Sequence, residues 1–213
     1  MKTPPPFKLS KTSLLILTLL SLSLLFFQKS ANAFWFEPIL GYSTGSFDFP
    51  QDSTGRLTDS NQYEGSVSGY RLGLRAGWSI GQVLHVGPSL TYDKLTFSYD
   101  KPAGTQDADL KAWAVGAVLG LGSKSFPFRF WVGYNLQDKL DLDQVGGSLA
   151  KYEGTSYYAG LGYKFSGSFP LTLGVEYTVR TYDKLVVLGI NDDVPDYEVS
   201  HLTATVSVPF NMF

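Results

Sequence analysis

The feature that most constrains this chain is an alternation. In "SGYRLGLRAGWSI", Tyr70, Leu72, Leu74, Ala76, Trp78 and Ile80 share one parity, and Gly69, Arg71, Gly73, Arg75 and Gly77 share the other. A period of two puts successive side chains on opposite faces of a strand. The pattern recurs at Trp113, Val115, Ala117, Leu119 and Leu121; at Phe128, Phe130, Val132, Tyr134 and Leu136; at Tyr157, Ala159, Leu161, Tyr163 and Phe165; and at Leu171, Leu173, Val175, Tyr177 and Val179. With "FWFEPILGYSTG", "VLHVGPSLTY" and "HLTATVSVPF", it predicts eight strands.

Such an apolar face could line a soluble barrel or meet lipid, and the opposite face decides between them. A soluble barrel needs a Lys- and Glu-rich exterior. Here the second face is mostly Gly, Ser and Thr with isolated charges, which suits a crowded lumen. Charged residues make up only 17% of the chain and aromatics reach 15%, against roughly 25% charged in ordinary globular chains. The apolar face therefore points to lipid. Runs of about 9 to 11 tilted residues suffice to cross a bilayer, and closure leaves no unpaired backbone in hydrocarbon.

The tripeptide Asp-Lys-Leu begins at Asp93, Asp138 and Asp183, a spacing of 45 residues each time. Two strands, one short turn and one long loop account for that period. Gly81-Gln82, "SKSFP" and "SGSFP" read as the short links, and residues 48–65, 99–109, 139–154 and 187–197 as long polar loops. Each copy then marks the rim where the third, fifth or seventh strand leaves for its loop. Strand parity puts Asp93 on the inner face and Asp138 and Asp183 on the outer.

The start of the chain fixes the compartment. Lysines in "MKTPPPFKLSK", the apolar run "SLLILTLLSLSLLFF" and the small residues Ala31 to Ala33 read as a signal peptide spanning residues 1–33, leaving residues 34–213 as one barrel domain. An apolar run of fifteen residues is short of the roughly 20 a spanning helix needs. Removing residues 1–33 takes away four lysines and no acids, leaving 13 basic and 19 acidic side chains, net −6. That excludes a basic nucleic-acid-binding face. Cysteine is absent, which excludes disulfides and thiolate metal sites.

On these residues the chain resembles the small eight-stranded outer-membrane barrels typified by the OmpA membrane domain and OmpX. The resemblance implies an all-β, antiparallel, up-and-down transmembrane barrel with short periplasmic turns and long extracellular loops, monomeric, in the bacterial outer membrane. It implies contact with outer-membrane lipid and lipopolysaccharide, and with the barrel assembly machinery through a terminal aromatic. Phe213 matches that ending, but Leu202, Ala204, Val206, Val208 and Phe210 set the outward parity, so either a bulge intervenes or Phe210 serves instead. Interfacial girdles are expected at Trp35, Trp78, Tyr92, Trp113, Phe128, Tyr157, Phe165, Tyr177 and Phe210.

An eight-stranded barrel is just wide enough inside for side chains to fill. The inward charges Glu37, Arg71, Arg75, Asp93, Arg129, Lys164, Glu176 and Arg180 should therefore pair across it, since unpaired buried charge is costly. Glu176 is expected to meet Arg75 or Arg71 near mid-height, and Glu37 to meet Arg129 or Lys164 near the periplasmic end. A plug is the simpler reading of such a network, and a gate in a narrow ion path is the functional one; for the chain as a whole the alternative is a narrow pore or lateral conduit for small molecules, as in the OmpW-like barrels it also resembles in length. Some small barrels that modify lipid A use a histidine with a serine and a carboxylate. Here His85 and His201 both point inward, and Ser200 beside His201 points outward, so a nucleophile–base pair does not form. No catalytic residue, cofactor or metal site is assigned. Sixteen of the 19 acids fall in the expected outer loops or at their strand ends, but "NDDVPDYE" lacks the regular oxygen spacing of a calcium loop. The function expected is structural or surface-facing, with a possible external ligand on the loops.

Overall fold

The computed structural model describes residues 34–48, 64–81, 83–101, 104–123, 126–143, 149–165, 170–187 and 190–212. The expected signal segment, most of the 48–65 loop and Phe213 lie outside them. Eight strands follow one another: β1 (Phe34–Asp48), β2 (Glu64–Ile80), β3 (Leu84–Lys101), β4 (Gly104–Leu121), β5 (Phe128–Asp143), β6 (Leu149–Phe165), β7 (Leu171–Val187) and β8 (Ile190–Ser207). Each is antiparallel to the next, and β1 pairs with both β2 and β8, so the sheet closes with no free edge.

A short segment β9 (Phe210–Met212) extends β8 along β1. The pairs Ile39↔Ser207 and Phe36↔Phe210 have the same register, so no bulge separates the two; Pro209, which has no N–H to donate, only interrupts the ladder. Phe210 faces outward and its ring lies 6.4 Å from that of Phe36.

At the end carrying Phe34 and Met212, the β2–β3 link turns at Gly81, whose φ of 62° favours glycine. Val83 N donates to Ile80 O at 3.4 Å across this turn. Gly81→Ala is expected to cost about 1 kcal/mol in an unfolding titration, from left-handed strain alone.

Outward positions carry two aromatic rings. One comprises Tyr42, Tyr70, Tyr92, Trp113, Tyr134, Tyr157 and Tyr177; the other comprises Phe34, Trp78, Phe126, Phe128, Tyr163, Phe165 and Phe210. Edge-to-face contacts knit them, as in Tyr42–Tyr70 at 5.5 Å and Phe34–Trp78 at 6.2 Å. Along β2, Tyr70 and Trp78 stand roughly 26 Å apart at about 3.3 Å per residue, or about 20 Å of height once the strand tilts. Trp35 belongs to neither ring. It is 2% exposed and points into the lumen beside His85, because it shares the parity of Glu37 rather than that of Phe34 and Phe36.

The strands are 15 to 18 residues long, well beyond what a bilayer requires. Most of the segments 99–109, 139–154 and 187–197, expected as long loops, is strand, leaving only short stretches of each undescribed. The reason is a reversal of polarity above the tyrosine ring. There Lys94, Thr96 and Ser98 face out while Leu95 and Phe97 face in, and Lys151 and Glu153 face out while Tyr152 faces in. Below the ring the arrangement is apolar outside and polar inside; above it, the barrel is built like a soluble one. A rule tracking only outward apolar residues loses the strand at that point.

The Asp-Lys-Leu repeat follows this geometry. Lys94, Lys139 and Lys184 all lie on the outer surface, while Leu95 and Leu140 sit in the inner apolar cluster and Leu185 packs against it. Asp183 is exposed, as expected, but Asp138 is fully buried in the lumen. A bulge between Asn135 and Asp138 makes Leu136 and Gln137 both face out, which reverses the parity of everything beyond.

Candidate functional site: the barrel lumen

The inward charges form a continuous ladder along the barrel axis. At the end carrying Phe34 and Met212, Arg129 Nη1 and Nη2 donate to Glu37 Oε1 and Oε2 at 2.8 and 3.2 Å, and Ser207 Oγ donates to Glu37 Oε1 at 2.6 Å. Glu37 lies opposite Arg75 in the β1–β2 pairing. Arg75 reaches across to Glu176, which also accepts from Arg71 and, at 2.6 Å, from Trp131 Nε1. Arg71 in turn grips Asp93 with Nε at 2.7 Å and Nη2 at 3.2 Å and donates to Thr178 at 3.1 Å. Asp93 also accepts from Arg180. Arg180 Nη1 reaches both oxygens of Asp138 at 2.7 and 3.0 Å, and Tyr182 OH donates to Asp138 at 3.0 Å.

Four arginines and four carboxylates balance, each charge facing an opposite one, which is the condition under which ions tolerate burial. Lys164, also expected in this network, sits half-buried on the inward parity of β6, and Glu37 is instead claimed by Arg129. The sequence reading missed Asp138, Trp131, Thr178, Tyr182 and Ser207. For Trp131 a signal was available: it shares the inward parity of Arg129.

Glycine makes room for Trp131. A Cβ on Gly160 would fall 2.3 Å from its indole, and one on Gly174 would fall 2.7 Å from it. The ring fills that bed, and the Arg75 guanidinium lies 4.8 Å from its centroid. Behind this floor, on the lipid side, Phe128, Leu161, Tyr163, Leu173 and Val175 edge an apolar cleft of about 320 Å³. Trp131 closes it off from the lumen.

Apolar side chains fill the space that the ladder leaves. Trp35, Val118, Trp131 and Tyr158 cluster beside its lower half, and Val67, Leu95, Phe97, Leu110, Leu140, Tyr152, Tyr182, Tyr197 and Val199 fill the outer half.

The histidines take separate structural places. His201 is buried, and its Nε2 lies 2.6 Å from Arg71 Nη2. Guanidinium can only donate, so Nε2 accepts and the ring proton is on Nδ1. Ser200 faces the other side of β8. His85 Nδ1 lies 2.8 Å from Ser79 Oγ, with the Trp35 ring 5.7 Å away. Among the described residues, no group of His, Asp and Glu could hold a metal ion.

This architecture matches the family model described as outer membrane protein beta-barrel domain, over residues 17–210. The chain belongs to that family. It is therefore an outer-membrane protein that crosses the bilayer with eight antiparallel strands. Solved structures similar to it include OprG from Pseudomonas aeruginosa, with 14% identity, 84% of this chain and 96% of that one covered, and a TM-score of 0.50. Ail, the attachment invasion locus protein of Yersinia pestis, aligns at 13% identity over 83% of this chain and 98% of its own, with a TM-score of 0.49. Neisserial surface protein A aligns at 17% identity over 85% of this chain and all of its own, with a TM-score of 0.44. At 14% identity the likeness to OprG is one of fold. No curated protein matches by sequence.

Proposed function

We propose that this protein is a closed barrel with a structural or surface-interaction role, contributing to membrane integrity or holding its outer hairpins toward an external partner, and that it is neither a pore nor an enzyme. The observation that supports this is the double filling of the lumen. A neutralised ion ladder occupies the middle, and a plug of Phe97, Tyr152, Tyr182, Tyr197 and aliphatic residues occupies the half above the membrane. An ion entering would have to displace buried aromatics and break at least one charge-assisted pair. The Trp131 floor likewise argues against a lateral path into lipid. Acyl-transfer chemistry lacks its triad, since Ser200 and His201 face opposite sides of β8 and His201 is occupied by Arg71.

The outer half supports the surface role. Strands that continue past the tyrosine ring around their own apolar core form a stiff collar that lifts the hairpin tips away from the lipid. Single-channel recording in planar bilayers tests the closed lumen: the protein purified from membranes is expected to give no steady conductance steps. Reproducible ohmic openings at low voltage would replace this reading with the conduit.

A further inference from the structure

His201 stands where the ion ladder meets the outer apolar filling. On the inward parity of β8, Tyr197 and Val199 above it belong to that filling, while Thr203 below it shares a 2.8 Å hydrogen bond with Ser43. It lies one residue above the lipid-facing Leu202, beyond which the outward parity passes to Ser200 and Glu198. Its pairing partners on β1 and β7, Gly45 and Thr178, carry no charge. The charges that face the ring are Arg71 from β2, Asp93 from β3 and Arg180 from β7.

This buried ring has room for one proton only. Nε2 accepts from Arg71 Nη2 at 2.6 Å, and Nδ1, which carries the proton, has no hydrogen-bond partner among the described residues. A second proton would turn Nε2 into a donor aimed at a guanidinium that can only donate. Asp93 is already engaged, with both oxygens taken by Arg71 and Oδ2 taken by Arg180 as well. The added charge would also set five cations against the four carboxylates of the ladder, away from water, where ions persist only in balance. His85 differs on each count. It is half-buried, and its Nδ1 partner is the Ser79 hydroxyl at 2.8 Å, which can turn from donor to acceptor when the ring is protonated.

We infer that His201 is an acid-sensitive latch between the ion ladder and the outer apolar filling. The neutral ring ties β8 to Arg71 of β2, and a second proton undoes that tie and unbalances the ladder beside it. A glutamine at the same place would offer Arg71 an accepting oxygen without a proton to take up; the histidine makes the contact conditional on pH. The chain has two histidines and no cysteine, so His85 and His201 are the side chains whose ordinary titration falls between about pH 5 and 8. The inference rests on the contacts of His201 alone and stands whether or not the lumen conducts.

The test follows the urea midpoint of the protein purified from membranes into micelles, between about pH 8 and pH 5. The folding equilibrium constant is expected to hold steady down to about pH 6.5 and then to fall about tenfold per pH unit. The sign follows from proton counting: below about pH 6.5 the unfolded chain takes a proton at residue 201 and the folded barrel does not, whereas above it neither does. His201→Gln is expected to flatten this profile, and His85→Gln to keep it. In the wild type, nitrogen NMR of the imidazoles is expected to show a neutral His201 ring, protonated at Nδ1, at both ends of the range. A flat wild-type profile overturns the inference, as does a tenfold slope that persists in His201→Gln. Where that variant does not fold, the wild-type spectrum decides. A His201 ring that titrates near pH 6.5 in the folded barrel shows that the second proton is tolerated, and overturns the latch without any variant.

Discussion

Glu176→Gln is expected to destabilise the folded barrel by about 3 to 5 kcal/mol, the range for removing one partner from a buried ion network. Glu176 is 1% exposed and accepts from three donors, Arg71, Arg75 and Trp131 Nε1. Glutamine has the same shape but only one acceptor oxygen, and its amide turns two N–H donors toward guanidinium groups that can only donate. Arg71 keeps Asp93, but the Arg75 charge loses its one carboxylate hydrogen bond among the described residues. The reading is the urea midpoint in micelles, together with the temperature at which the compact gel band is lost. An unchanged midpoint would mean that Glu176 does not carry the charge of Arg75, and the ladder would have to be redrawn.

The ladder and the two apolar layers divide the work of filling the barrel. Near mid-membrane lipid claims one apolar parity, so the charges of these strands lie on the other, inward one, beside Trp131 and Tyr158, and ions can remain there only as a balanced set. Above the tyrosine ring water lies outside, so the same alternation delivers apolar residues to the interior. The position of the charges thus follows from the height at which each strand crosses the interface.

How much of this could be read from the chain depends on whether parity holds. Along β2 and β3 it holds throughout, and the inward placement of Arg71, Arg75 and Asp93 follows from spacing alone. The same holds for Glu37 on β1 and Glu176 on β7. Two features broke the reading for different reasons. Residue type places Trp35 in a girdle, as a tryptophan near a strand end, whereas the parity that Glu37 sets places it in the lumen. Polarity reads the outer hairpins as loops, because a strand whose outer face turns polar looks like a loop when lipid-facing residues are the only guide.

Asp138 failed for a third reason, a bulge without a strong local sign, and its substitution separates the two readings of that strand. Asp138→Ala is expected to cost about 3 kcal/mol. The carboxylate accepts two bonds from Arg180 and one from Tyr182 OH with no exposure to solvent, so its loss leaves a buried hydroxyl without its acceptor and a guanidinium with Asp93 alone. An aspartate on the outer rim, where unbroken parity would place it, would change stability by less than about 0.5 kcal/mol. Asp183→Ala supplies that comparison within the same protein: it is the third copy of the same tripeptide, exposed at the bulge between Tyr182 and Lys184. A urea titration in which both alanine variants unfold together with the wild type would return Asp138 to the outer face and remove the bulge from the account. The expected ordering, with Asp138→Ala far below Asp183→Ala, follows because two of the three repeat aspartates, Asp93 and Asp138, bind the single Arg180 from different strands.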